Sequence, residues 1–152
     1  MKPSMLALVL AAVLSPGAVL AAGEVNTKPL DPVLEKAQDA TNHEDWAGAQ
    51  AILKEALART PNNPEYHNEY AYALRKGPKP DMSLVFQHYN EALRLDPKHR
   101  GANEYLGEAY LMIGNLPKAK EQLATLDKIC FLPCKEYSEL KASIAAYEAK
   151  GK

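Results

Sequence analysis

The sequence predicts an all-α fold, an α-solenoid of about three stacked helix pairs closed by a C-terminal helix. Three observations predict it. Small and apolar residues recur at a spacing near 34 between Leu30 and Pro133. Pro61 and Pro97 end the first two units, since a residue without an amide donor stops a helix. The last segment, Lys135 to Ala149, sets Tyr137, Leu140, Ile144 and Tyr147 on one face with charges opposite, the spacing of an amphipathic helix.

In chain order, Met1 to Ala22 has the layout of a secretory signal peptide. Lys2 precedes an apolar run from Met5 to Leu14, a Ser15-Pro16-Gly17 turn follows, and small residues close it. Cleavage is expected after Ala21 or Ala22. The apolar run is too short for a membrane span, which needs about 20 residues, and no cysteine stands at the boundary to take a lipid anchor. The mature chain is thus expected in the periplasm or outside the cell, without a stable membrane span, in an oxidising compartment. Residues 23–30 read as a polar tether. The repeat domain is expected over 31–133, in units of approximately 30–63, 64–99 and 100–133, with the capping helix and tail over 134–152.

The repeat rests on arithmetic. Small residues stand at Ala37, Ala71 and Gly107, and small or slim ones at Ala49, Val85 and Ala119. Leu53, Tyr89 and Leu123 follow four residues after the second set, and Ala56, Ala92 and Leu126 come next. Ala37 to Ala71 and Val85 to Ala119 both span 34 residues, whereas Ala71 to Gly107 spans 36. Ala71 to Val85 spans 14 where the other two units have 12, so the two extra residues lie in Lys76 to Asp81, KGPKPD. Small residues let paired helix axes approach closely. Each pair cannot bury its apolar face alone, so the pairs must stack and the open end needs a cap.

A helix–turn–helix unit of this period resembles the tetratricopeptide repeat. The third unit carries Leu106, Gly107, Tyr110 and Ala119 in the family's places, the second matches in Tyr89 to Pro97, and the first in Trp46 to Pro61. The chain is similar to a small exported bacterial protein of that family, with a CFLPC element after the last repeat.

Charge narrows the function. The chain has 18 basic and 19 acidic residues; loss of Lys2 with the signal leaves 17 and 19, a net of −2. That is no basic field for nucleic acid. No nucleophile elbow, phosphate-binding Gly-rich loop or His-Glu zinc motif is present. His43, His67, His88 and His99 are scattered without ligand spacing, although His67 and His88 lie on paired helices and could meet. Gly77 and Gly114 read as helix ends. The expectation is a chain that is not an enzyme and carries no cofactor.

Cys130 and Cys134 are the only cysteines, and three readings compete for them. A disulfide suits the compartment and would fix how the cap meets the stack. A redox pair would more commonly have two residues between the cysteines and an adjacent strand. Two thiolates could hold a soft ion such as monovalent copper, but a metal site ordinarily needs more ligands.

Binding remains. The resemblance implies a concave groove lined by the first helix of each pair. By the family's register the outward positions are Leu34 and Gln38, then Asn68, Tyr72 and Arg75, then Glu104, Glu108 and Leu111. From these the candidate peptide-binding set is Asn68, Tyr72, Arg75, Glu104, Glu108 and Leu111, with an acidic lean that favours a basic or neutral segment. Some members of the family grip a C-terminal carboxylate with basic and Asn side chains. Those positions hold Leu34, Gln38, Glu69, Gly101 and Tyr105 here, so that mode is not expected. The expected function is a protein–protein interaction adaptor or scaffold of the periplasm, holding a protein or peptide segment of the cell envelope; pairing with a second copy is compatible with it. The alternative is a metal or thiol carrier built on Cys130 and Cys134.

Overall fold

The computed structural model describes residues 31–151. The segments expected to be a signal peptide (1–22) and a tether (23–30), and Lys152, lie outside the described residues. Seven helices follow in order: α1 (Pro32–Asn42), α2 (Trp46–Arg59), α3 (Pro64–Lys76), α4 (Met82–Leu95), α5 (Arg100–Met112), α6 (Leu116–Ile129) and α7 (Lys135–Lys150). No strand is present among the described residues. The fold is the predicted one: α1/α2, α3/α4 and α5/α6 pair, the pairs stack, and α7 packs on both α5 and α6.

The helix starts are set locally. Asp31, Asp45, Asn63, Asp81 and Asn115 each accept a backbone N–H of the first turn with a side-chain oxygen, and the His99 Nδ1 accepts from the Ala102 N–H. Such caps satisfy donors that have no partner in the helix. Residues 43–45 and 113–115 form the first and third intra-pair turns, while 77–81 form the middle one, two residues longer. The insertion read from the spacing is this longer turn. The two short turns are built alike, each with one residue in the left-handed region: Glu44 at φ 58° and Gly114 at φ 78°. Gly77 also ends its helix, but with an extended φ of −63° rather than a left-handed one.

The repeating small residues are the places of closest approach. Ala37, Ala71, Ala49, Val85 and Ala119 are buried, as are Leu53, Tyr89, Ala56, Ala92 and Leu126. At Gly107 a Cβ would lie 2.6 Å from the Leu140 Cδ2, so the third unit needs glycine for α7 to seat. The core runs as three clusters along the stack. The first gathers Ala37, Leu53, Ala56, Tyr66 and Tyr70, the second Ala71, Val85, Tyr89, Leu106 and Ala109, and the third Leu111, Ala119, Leu126, Leu140 and Ile144.

Polar side chains tie each unit to the next at about one period. The Tyr66 hydroxyl donates to Asp31 Oδ2 (2.6 Å), His99 Nε2 meets Glu65 Oε2 (3.0 Å), and the Ser143 hydroxyl donates to Glu108 Oε1 (3.1 Å). His67 and His88 do meet, Nδ1 to Nδ1 at 2.8 Å, with His67 Nε2 2.8 Å from the Pro61 carbonyl. A carbonyl only accepts, so His67 carries its proton on Nε2 when neutral and the His88 Nδ1–H donates to its free Nδ1.

Candidate functional site

The first helices of the pairs, α1, α3 and α5, are continued by α7, and α3, α5 and α7 enclose a concavity of about 470 Å³. Tyr72, Arg75 and Lys76 come from α3, Glu104, Tyr105 and Glu108 from α5, and Lys135, Glu139, Ala142 and Ser143 from α7. Ala142 and Glu139 are exposed on the α7 face turned away from Leu140.

The floor of this cavity is an aromatic and ionic lattice. Tyr72 and Tyr105 pack on each other with centroids 4.9 Å apart, and Arg75 lies beside the pair, its guanidinium carbon 5.6 Å from the Tyr72 centroid and 5.5 Å from that of Tyr105. Its Nη2–H donates to Glu108 Oε2 (2.8 Å) and its Nε–H to the Tyr89 hydroxyl (3.3 Å). Glu108 accepts the Ser143 hydroxyl on its other oxygen. One arginine thus joins α3, α4 and α5, and through Glu108 it reaches α7. The ring series extends outward, since Trp46 meets Tyr72 edge-on at 6.2 Å and the Lys76 ammonium lies 6.0 Å from the Trp46 ring. Burial raises the Tyr72 and Tyr105 hydroxyl pKa values above the ordinary phenol range, so both rings are neutral surfaces at physiological pH.

Glu104 has a different environment. It is 4% exposed, and its nearest charged neighbours are carboxylates. Burial, with Glu139 and Glu108 close by, pushes its carboxyl up to about 8 from an ordinary 4.5. The consequence for stability has a definite sign. The folded state holds this proton more tightly than the unfolded chain, so the contribution is full below the ordinary carboxylate value and is lost as pH rises toward 8. Glu104→Gln is expected to change stability little near pH 5 and to raise it by roughly 2 kcal/mol near pH 8, read from urea midpoints at the two pH values. Glu69 follows the same rule, pushed up to about 7 by burial and by Glu65.

Four of the six residues in the candidate set lie together here: Tyr72, Arg75, Glu104 and Glu108. Two do not. Asn68 is 2% exposed; its amide donates to Glu69 Oε1 (2.9 Å), and its Oδ1 is buried without a partner. The start of α5 passes over it at Gly101, where a Cβ would lie 3.4 Å from Asn68 Nδ2, so it faces the next helix rather than an open groove. Leu111 is buried in the third core cluster and borders a separate apolar depression with Met112, Ala146 and Tyr147. Arg75 lines the cavity at only 8% exposure, with its Nε–H held by Tyr89 and its Nη2–H by Glu108, so it builds the floor of the cavity.

The candidate set lacked Lys76, Tyr105 and the whole α7 contribution: Lys135, Glu139, Ala142 and Ser143. The register held a signal for one of these. Ser143 stands 35 residues after Glu108, one period on, which makes α7 the first helix of a further, unpaired unit.

Cys130 ends α6 and Cys134 starts α7, and the structure pairs them, Cα to Cα 5.8 Å. Between them Phe131 is 98% exposed and Leu132 is also exposed. Among the described residues no three His, Cys, Asp or Glu side chains converge as metal ligands would, and no helix is long and apolar enough to cross a membrane.

Fold and groove together define a right-sized class: a short helix-pair solenoid whose first helices make a concave, aromatic and charged surface. The chain belongs to the tetratricopeptide repeat family, whose model matches residues 34–81 and 87–127. The first match begins inside α1 and runs through α2 and α3, so the first unit is included. Solved structures agree on the fold. The translocator chaperone SycD of Yersinia enterocolitica superposes with a TM-score of 0.67 at 13% identity, covering 78% of this chain and 83% of that one. The same chaperone in complex with a peptide of the translocator YopD gives 0.65 at 14% identity, covering 85% and 99%. The Sgt2 repeat domain of Aspergillus fumigatus gives 0.66 at 19% identity, covering 78% and 76%. No curated protein matches the chain.

Proposed function

We propose that the chain is a non-enzymatic adaptor that holds a peptide segment of a partner protein in the concavity between α3, α5 and α7. The observation that carries this is the cavity itself: about 470 Å³, open to solvent, with neutral tyrosine faces and charged groups at fixed positions on three rigid helices. That is a surface suited to an extended or helical segment. The likeness to a chaperone solved with a peptide of its translocator supports the same mode of use.

The reading includes an address. Residues 1–22 direct export and are removed after Ala21 or Ala22, the mature chain works in the bacterial cell envelope, and Cys130 and Cys134 close as a disulfide there. The denatured mass of protein taken from the periplasm is expected to start at residue 22 or 23 and to be two hydrogens light of the reduced chain. A retained leader, or two free thiols, would contradict the address. The native mass would show whether two copies pair. Metal on the purified chain, lost in Cys130→Ser, would favour the carrier reading instead.

The groove is tested by placing a photo-crosslinking residue in cells at Ala142, inside the concavity, and at Lys54, exposed on α2. One discrete partner, joined through one segment at position 142 and absent at 54, is the expected result. No adduct at 142, or equal adducts at both positions, would sink the proposal.

A further inference from the structure

Resting on the groove reading above, we infer that Glu104, facing Glu139 in the cavity, is the socket for one cationic side chain of the bound segment, a lysine or an arginine. The other charges around the cavity already have partners. On α3, Arg75 is committed to Glu108 at 2.8 Å, and Lys76 leans over the Trp46 ring. On α7, Lys135 reaches Glu139 from the solvent side at 3.6 Å while its own side chain is 80% exposed, an arrangement worth little in water. On α5, Glu108 is held by both Arg75 and Ser143.

Glu104 is left over. It lines the cavity, is 4% exposed, and among the described residues no lysine, arginine, histidine or hydroxyl donates to its carboxyl. Its neighbours are instead Glu139, Glu108 and, further off, Glu136. A buried carboxylate without a cation is costly, and two carboxyls sharing a site answer by keeping a proton. The empty cavity therefore keeps one proton on Glu104 beside the Glu139 carboxyl and has both carboxyls ready for a cation. An ammonium or guanidinium entering the site displaces that proton: the carboxyl O–H bond breaks, the proton passes to solvent, and an ion pair forms. Tyr72 and Tyr105 line the same cavity and offer apolar surface to the methylene stem of a long cationic side chain. An acidic side chain entering here would find no cation to pair with and would meet carboxyls on two helices.

The test is selection of random eight-residue peptides on the full mature chain, followed by calorimetry of synthetic winners near pH 7 in two buffers of different ionisation enthalpy. Winners are expected to carry a lysine or arginine whose replacement by norleucine weakens binding at least tenfold. Glu104→Gln is expected to abolish that difference, and complex formation is expected to release a fraction of a proton in the wild type but not in the variant. Glu139→Gln, on the exposed side of the pair, is expected to reduce the same difference, and melting curves show that both variants are folded. If winners lose binding in Ala142→Trp but show no dependence on a cationic residue, or keep that dependence in Glu104→Gln, the socket is wrong and the groove stands. If no winner responds to Ala142→Trp, the groove reading fails and the socket falls with it.

Discussion

Replacing Arg75 with alanine is expected to lower stability by about 3 kcal/mol, the largest loss from any single charged side chain among the described residues. Breaking a buried ion pair on one side costs about 3–5 kcal/mol, because the other charge is left uncompensated. The lower end applies here. The Glu108 side chain stays 25% exposed and keeps its bond from Ser143. The Tyr89 hydroxyl is worse placed, since its ring is buried in the second core cluster and loses its donor. Against a total stability on the order of 5–15 kcal/mol, this change shows plainly as a shift in the urea midpoint. Arg75→Lys should recover only part of the loss, because an ammonium cannot span Glu108 and Tyr89 at once as a planar fork does. A midpoint unchanged in Arg75→Ala would mean that the lattice contributes nothing and that Arg75 is a surface residue after all.

The second large effect is expected at Leu140. Truncating a buried leucine to alanine costs about 2–5 kcal/mol, and Leu140 is fully buried against Gly107. Because α7 is the last helix and touches only α5 and α6, the loss falls first on its docking and only then on the whole fold. Leu140→Ala is therefore expected to speed amide exchange throughout 135–150 while the exchange of α3 and α4 stays near wild type. Peptide binding should fall at least tenfold in parallel, since Lys135, Glu139, Ala142 and Ser143 leave the cavity with the helix. Binding that survives a detached α7 would confine the site to the first three pairs.

These two residues mark where the sequence was legible and where it was not. Small anchors such as Ala37, Ala71 and Gly107 were legible because close helix approach admits few side chains, so spacing alone locates the contacts. The longer middle turn was legible for the same reason, as a two-residue break in that spacing. Arg75 and Asn68 were not. Register puts both on the groove face of α3, but it says nothing of what the next pair lays across them. Tyr89 and Glu108 cover the one, and the start of α5 at Gly101 covers the other. The role of α7 was half legible. Its apolar stripe announced a cap, while the face opposite, which carries the charges, is a wall of the cavity. Amphipathic spacing identifies the buried face of a helix; it does not show what the opposite face looks onto.

The measurement that tests the central claim most directly is amide hydrogen exchange on the mature chain, free and saturated with a synthetic copy of the segment crosslinked at position 142. Slowed exchange confined to α3, α5 and α7 is the expected result. Protection falling instead on α2, α4 and α6, or on the exposed Phe131–Leu132 tip, would place the partner outside the groove and contradict the account.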